Sequence, residues 1–250
     1  KLIKDISEER PVRQHNKRLD PIEIGQSITS SNTYYQVVNE INVRLVENET
    51  NRSWGDKTPH YLRELETLIE TFPDAYYIFI VRDGRDVALS LLEKPWGPNN
   101  IFCCAAYWSE LNEKFIKHRE KIPGERLLFI KYEDLISEPS EHITKMYAFL
   151  NEGSEELDKA LSSFTTPKSN NSNKWKSKLG PKQKRAFESQ ASTILRWFDY
   201  ECEYDNPKTP AILMYYYKFH DHIMKCSFLI KHNIVDGLKI RFFGKQPFNE

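Results

Sequence analysis

The chain has 250 residues, of which 39% are hydrophobic and 29% charged, so it is long enough for one sizeable soluble domain. Its 36 Lys and Arg residues balance 36 Asp and Glu residues, and a zero net charge argues against a nucleic-acid binder. The four cysteines lack the CxxC spacing of metal or redox motifs, which predicts free thiols in a reducing, cytoplasmic compartment.

The first 90 residues are predicted to place helices before a buried strand. Apolar residues at helical spacing predict helices over about 32–48 and 62–72, with a loop over 51–61 between them. The apolar run 75–81 shows no alternation, which is typical of a strand buried on both faces of a parallel sheet. A further helix is predicted to begin at once after the polar stretch 82–86.

The pattern then repeats, which indicates the fold class. A longer helix is predicted to end near residue 120, a second strand lies within 126–135, and a helix with an apolar stripe ends at Leu150. Helices alternating with buried strands predict an α/β fold with a parallel sheet. Ligands of such folds bind beyond the carboxyl ends of the strands, where the loops after Val81 and Ile130 fall.

The last 44 residues differ from the rest, so the predicted division is an α/β domain over 1–206 and a tail over 207–250. The tail has seven Lys or Arg residues, three Asp or Glu residues and eight aromatic residues. It is predicted to pack on the domain, with contacts in a homodimer or at a membrane surface as alternatives. His220, Asp221 and His222 supply no coordination shell, so no metal site is predicted.

The polar stretch after the first strand is the strongest candidate for a binding site. Arg82 follows the strand directly, and an arginine beside a helix N-terminus is well placed to hold a phosphate. Gly84 would allow a tight turn, and the hydroxyl of Ser90 could reach the same anion. The alternative is that Arg82, Asp83, Arg85 and Asp86 pair among themselves and cap the helix.

These motifs resemble those of sulfotransferases that use 3′-phosphoadenosine 5′-phosphosulfate, particularly the bacterial type. The resemblance is carried by "WGDKTPHYLRELETLIETFPDAYYIFIVRDGRDVALSLLEKPWGPNN", "RLLFIKYEDLISEP" and "NKWKSKLGPKQ", and covers roughly residues 51–200. It implies a P-loop-like three-layer fold, with a central parallel sheet flanked by helices, followed by a helical tail. It also implies that the sulfate donor is a co-substrate and that no metal is needed.

The resemblance implies binding roles for four residues. In the family, the Arg and Ser of the RDGRD motif hold the 3′-phosphate of the donor, and these positions are Arg82 and Ser90. An aromatic residue after the second strand stacks near adenine, which assigns that role to Tyr132, with an ordinary strand-end tyrosine as the alternative. A basic residue before a Trp-Lys pair also reaches the 3′-phosphate, which places Lys168 there. Asp83 and Asp86 are predicted to be structural, either capping the helix or fixing Arg85.

The stretch "WGDKTPHY" is predicted to supply the catalytic groups. Sulfuryl transfer needs a base for the acceptor and a cation for the charge that grows on the departing oxygens. The resemblance implies that Asp56 is the base and that Lys57 stabilises the charge, with His60 as the alternative base. Asp56 and Lys57 could instead form a solvated loop pair before a helix that starts at Thr58-Pro59.

One element of the family is missing from this sequence. Its members begin with a strand and a Gly/Ser/Thr-rich loop that holds the 5′-phosphosulfate, and nothing in residues 1–50 matches it. Loss of a central strand would leave unpaired backbone edges and an exposed apolar face. This favours an N-terminally incomplete chain over a remnant with a rebuilt sheet.

The predicted function is therefore transfer of a sulfuryl group to a hydroxyl or amine of a carbohydrate, lipid or small metabolite. The alternative is a non-catalytic nucleotide-binding or interaction protein that retains the fold. A nucleotide kinase is disfavoured because no Walker A motif occurs. The cysteines favour the cytoplasm, whereas a membrane anchor ahead of the chain would favour the Golgi lumen.

Overall fold

The structure, a computed structural model, describes residues 34–45, 54–165 and 172–231, together with Ile22, Ile24 and Gln26. Backbone contacts divide the chain into two compact units, Lys1–Ala75 and Tyr76–Glu250. Among the residues that the structure describes, both strands and most of the helices belong to the second unit, which also contains the candidate phosphate site.

Within residues 34–45 and 54–75, the first unit has two α-helices and a 3₁₀ helix. Helix α1 covers Tyr34–Leu45, inside the range predicted for it. The second predicted helix begins instead as a 3₁₀ helix, Pro59–Glu64, and continues as α2, Leu65–Thr71. Proline has no N–H to donate and its φ angle is restricted, so it is well suited to the first position of a helix.

The second unit alternates strands and helices in the predicted order. Two short 3₁₀ helices, Arg119–Lys121 and Gly124–Arg126, precede the second strand. The elements are β1 Tyr77–Val81, α3 Gly84–Leu92, α4 Ile101–His118, β2 Leu127–Lys131, α5 Tyr132–Ser137, α6 Pro139–Phe149, α7 Ser154–Ser163, α8 Lys174–Lys178, α9 Pro181–Trp197 and α10 Ala211–Ile230.

Strands β1 and β2 pair in parallel, as predicted, with Tyr77 opposite Leu127 and Val81 opposite Lys131. Their carboxyl ends therefore meet at one edge, where α3 and α5 begin. The prediction that β1 is buried on both faces was wrong, because Ile80 is 47% exposed. Side chains alternate between the faces of a strand, so the face with Phe79 and Val81 is covered while Ile80 lies on the opposite face.

The core of the second unit is built from stacked aromatic rings. Phe79 of β1 stacks on Phe115 of α4, with 3.5 Å between the ring centroids, and Phe198 lies parallel to Phe129 at 5.8 Å. Trp108 of α4 meets Phe198 edge to face. Helix α4 packs against α3 and α9, so it is the element that ties the strand ends to the later half of the chain.

The predicted tail contains a helix in its described part. Helix α10 is 20 residues long and packs against α4. Among the described residues, no helix combines the length and the apolar character required to cross a bilayer.

Candidate anion-binding site

The site is built on the turn between β1 and α3, here called the strand-end turn and defined as Arg82–Asp86. Asp83 is the N-cap of α3, and its side chain accepts a hydrogen bond from the backbone N–H of Arg85 at 2.9 Å. This confirms the predicted capping role of Asp83. The cap satisfies one of the free N–H groups at the start of α3.

The second arginine of the turn is a buried structural group. Arg85 is 1% exposed; its Nε and Nη2 donate to the carboxylate of Asp83 at 2.9 and 2.8 Å, and Nη1 donates to Glu188 Oε1 at 3.1 Å. Glu188, on α9, is fully buried and also accepts the backbone N–H groups of Glu203 and Tyr204. The charge of Arg85 is thus neutralised inside the protein, so this arginine cannot serve an external ligand.

The first arginine keeps an accessible face. The side chain of Arg82 is 23% exposed, and its guanidinium carbon lies 4.8 Å from the centre of the Tyr132 ring. Its Nη2 lies 4.0 Å from Asp86 Oδ2, at the limit of an ion pair. The structure therefore brings together two of the predicted binding residues, Arg82 and Tyr132, at the carboxyl ends of adjacent strands.

Ser90 lies on α3, two turns after Arg82, and it is exposed. Its hydroxyl is 3.4 Å from the backbone carbonyl oxygen of Asp86, which is a long and therefore weak hydrogen bond. Asp86 consequently neighbours both predicted phosphate ligands, through its side chain at Arg82 and its backbone at Ser90. A hydroxyl held this loosely can reorient toward an anion at little energetic expense.

Glu133 ties the two strand ends together. Its Oε1 accepts the backbone N–H of Asp83 at 3.0 Å, and its Oε2 accepts the hydroxyl of Tyr200 at 2.8 Å. Burial, together with the neighbouring Glu133 carboxylate, raises the pKa of Tyr200, which therefore stays a hydrogen-bond donor. Glu133 therefore orients the strand-end turn relative to the end of β2.

Trp175 attaches the later basic segment to the strand-end turn. Its backbone N–H donates to Asp86 Oδ1 at 2.9 Å, and its indole ring lies under Arg85, 3.5 Å from the guanidinium carbon. The contact with Asp86 confirms the structural role predicted for that residue. From the sequence, Trp175 was recognised only as part of the Trp-Lys pair, and the roles of Glu188 and Tyr200 were missed. These residues lie far from the strand-end turn in the chain, so no local pattern links them to it.

Gly84 is required for packing. A Cβ atom at this position would lie 2.5 Å from Trp108 Cδ2 and 2.8 Å from Phe187 Cζ. The glycine therefore allows two core aromatic residues, on α4 and α9, to approach the start of α3. The sequence had suggested a tight turn as its purpose, whereas the structure makes it the first residue of the helix.

The predicted catalytic residues lie in the first unit and are exposed. The Asp56 carboxylate accepts a short hydrogen bond from the hydroxyl of Tyr61, a partner that the sequence did not reveal. This bond raises the pKa of Tyr61, since loss of its proton would place a second negative charge beside Asp56. Lys57 and His60 are also solvent-accessible.

Two further predictions concern Lys168 and metal binding. Lys168 lies outside the described residues. Within residues 34–45, 54–165 and 172–231, no group of three or more His, Cys, Asp or Glu side chains is arranged to hold a metal ion. Asp221 instead accepts hydrogen bonds from the backbone and side chain of Asn99 and pairs with Lys225.

Comparison with known proteins agrees with the family motifs in this site. A profile of the sulfotransferase family matches residues 7–156, which is more than half of the chain and includes the strand-end turn, Ser90 and Tyr132. The matched range ends before Trp175, which donates to Asp86, and before Glu188, which pairs with Arg85.

Two animal proteins show similarity over part of their length. The protein-tyrosine sulfotransferase of Drosophila melanogaster is 28% identical over 101 residues, which cover 38% of this chain and 20% of that protein. Protein-tyrosine sulfotransferase A of Caenorhabditis elegans is 24% identical over 101 residues, which cover 38% of this chain and 27% of that protein. The aligned region therefore spans less than a third of either relative.

Proposed function

Because the chain belongs to the sulfotransferase family, we propose that it transfers a sulfuryl group from 3′-phosphoadenosine 5′-phosphosulfate to a hydroxyl group. The observation that supports this most directly is that the two arginines of the strand-end turn have different surroundings. Arg85 is fully engaged inside the protein, whereas Arg82 presents a guanidinium at the edge where α3 begins. A guanidinium beside helix N–H groups is suited to a phosphate.

The binding part of the proposal assigns the 3′-phosphate to Arg82 and Ser90, and the adenine to Tyr132. Lys168 is a further proposed ligand of the 3′-phosphate. The contact between Arg82 and the Tyr132 ring supports a shared binding surface, since one nucleotide would engage both. The proposed architecture is the three-layer, P-loop-like fold of the family, of which the β1–β2 pair would form part of the central sheet.

The chemical part of the proposal follows from the reaction. The acceptor oxygen attacks sulfur in line while the bond from sulfur to the 5′-phosphate oxygen breaks, releasing 3′-phosphoadenosine 5′-phosphate. We assign removal of the acceptor proton to Asp56, with His60 as the alternative base. Lys57 would neutralise the charge on the sulfuryl and leaving oxygens. The exposure of all three side chains is compatible with a macromolecular acceptor.

The favoured acceptor is a tyrosine hydroxyl of a polypeptide. This choice draws on the two relatives, both of which are protein-tyrosine sulfotransferases. Carbohydrate, lipid and small-metabolite hydroxyls or amines remain the alternative acceptors predicted from the sequence. The bacterial-type assignment, the domain division at residue 206 and the cytoplasmic or Golgi location also stay predictions.

Titration calorimetry with 3′-phosphoadenosine 5′-phosphate tests the binding site. Arg82→Ala should weaken binding by about tenfold to a hundredfold, the effect of losing a charged hydrogen-bonding group. The matched control is Arg126→Ala, because Arg126 precedes β2 and lies at the opposite end of the parallel pair from Arg82. Equal affinity of the Arg82→Ala variant and the unmodified chain would contradict the proposed site.

Transfer of labelled sulfate separates an enzyme from a protein that only binds nucleotide. The full-length protein is given the donor together with tyrosine-containing peptides, glycans, lipids or small phenols. Label on the peptide tyrosine, lost in Lys57→Ala, is the expected result. Nucleotide binding without transfer to any of these acceptors would favour the non-catalytic alternative.

A further inference from the structure

Helix α10 presents a continuous apolar stripe on its outward side. Five of the six residues that form this stripe are 48–80% exposed, and the sixth, Cys226, is half-buried. The stripe, called here the α10 stripe, consists of Ile212, Tyr216, Phe219, Ile223, Cys226 and Ile230. A row of large apolar side chains along five turns of a helix is more than the scattered exposure expected of a soluble surface.

The opposite side of α10 fixes which way this stripe faces. Asp221 accepts the backbone N–H of Asn99 at 2.6 Å, and the side chain of Asn100 donates to the Tyr217 carbonyl at 2.8 Å. The Tyr217 ring also stacks on Phe102 of α4, with centroids 5.3 Å apart. These contacts hold the inner side of α10 against α4 and therefore direct the stripe away from its own unit.

The spacing of the stripe specifies the geometry of a helical partner. Successive members are separated by four, three, four, three and four residues, which is the heptad pattern of a coiled-coil seam. The charged residues of the helix, Lys218, Asp221 and Lys225, all lie off this seam. Two helices that pack side by side through knobs-into-holes contacts use this 3–4 alternation.

We propose that α10 pairs with α10 of a second copy of this chain, seam against seam. Five members of the stripe are 48–80% exposed, and Tyr215 beside them is 70% exposed. Taking each of these large side chains at about 150–200 Å², the lower part of the range for aromatic residues, their exposed fractions amount to roughly 570–760 Å² per copy. That area approaches the ~800 Å² per partner of a stable interface, and a two-fold axis would make it self-complementary. The pairing does not depend on sulfuryl transfer.

Two neighbouring residues allow a matched test. Ile223 lies on the α10 stripe and is 48% exposed, whereas Met224 lies off it and is 44% exposed. Sedimentation equilibrium of the full chain should show a dimer, and Ile223→Lys should weaken dimerisation by at least tenfold. Met224→Lys adds the same charge at a similarly exposed position and should leave the dimer intact. Circular dichroism and nucleotide binding should be unchanged in both variants.

Three outcomes would overturn the pairing. The first is a monomer for the unmodified chain at a concentration of 100 μM. The second is equal dissociation by Ile223→Lys and Met224→Lys, which would indicate a general effect of charge. The third is a monomeric chain that co-sediments with phosphatidylcholine vesicles and loses this binding in Ile223→Lys, which would make a bilayer the occupant of the stripe.

Discussion

The guanidinium carbon of Arg85 lies over the indole ring of Trp175, 3.5 Å from the ring centre. The neighbouring residue, Asp86, accepts the backbone N–H of Trp175, so the strand-end turn holds this segment by two buried contacts. The segment carries Lys174, Lys176 and Lys178 as the lysines of α8. Arg85 therefore positions a basic helix beside the turn that supplies Arg82.

Replacing Arg85 by methionine should destabilise the protein strongly. The change would leave the carboxylates of Asp83 and Glu188 buried without their cation, and breaking a buried ion pair in this way costs about 3–5 kcal/mol. Urea unfolding measures the loss. The exposed pair Glu141–Lys145 provides the control, since Lys145→Met should leave stability almost unchanged.

A double variant distinguishes charge from packing as the cause of that loss. In Arg85→Met/Glu188→Gln, one of the uncompensated buried charges is removed, so the double variant should lose less stability than the sum of the two single variants. Strict additivity would show that Arg85 and Glu188 contribute independently, against the ion pair observed at 3.1 Å.

Gly84→Ala should destabilise the fold although alanine is the better helix former. The added methyl group would lie within 2.8 Å of both Trp108 and Phe187, and such overpacking costs about 1–3 kcal/mol. Thermal unfolding and near-ultraviolet circular dichroism report on the two aromatic residues. At Gly124 a Cβ would meet nothing within 4 Å, so Gly124→Ala is the matched control and should be near neutral. A Gly84→Ala protein as stable as this control would refute the packing role.

Ser90→Ala should weaken nucleotide binding without affecting the fold. The hydroxyl is exposed and, among the described residues, bonds only weakly to the Asp86 carbonyl, so its removal leaves no buried group unsatisfied there. A hydrogen bond to a charged phosphate contributes about 1.5–3 kcal/mol, which corresponds to a loss of at least tenfold in affinity. Calorimetry with 3′-phosphoadenosine 5′-phosphate measures it, with the exposed Ser162→Ala of α7 as control. Unchanged affinity in Ser90→Ala would remove Ser90 from the site.

The thiol of Cys104 should be inert in the folded protein at neutral pH. Burial raises its pKa from the ordinary value of 9.0 to about 12, so roughly one molecule in ten thousand carries a thiolate at pH 8. Alkylation at pH 8 followed by mass spectrometry should leave Cys104 unlabelled until the chain is unfolded. Rapid labelling of Cys104 in the folded chain would contradict the packing around it.

The same shift predicts how stability changes in alkali. Above pH 9 the unfolded chain releases the Cys104 proton while the folded chain retains it, so unfolding becomes more favourable as pH rises toward 12. Cys104→Ala should show a shallower decline of stability over that interval. If both proteins lose the same stability over this pH interval, groups other than Cys104 cause the loss.

Much of the second unit follows from short-range patterns in the sequence. The unalternating run before Arg82 identified β1, and the predicted cap at Asp83 marked the start of α3. These predictions succeeded because strand runs and helix caps depend on residues only a few positions apart. The parallel pairing of β1 and β2 followed from the helices between them.

Tertiary structure alone decided that Arg85 is engaged inside the protein while Arg82 keeps an accessible face. Both belong to one five-residue motif, and composition left open whether they bind an anion or pair internally. The answer depends on Glu188 and Trp175, which reach Arg85 from distant parts of the chain, while Arg82 remains beside Tyr132 at the open edge. Burial and charge pairing depend on residues that are neighbours in space but distant in the chain. A local sequence pattern therefore cannot predict them.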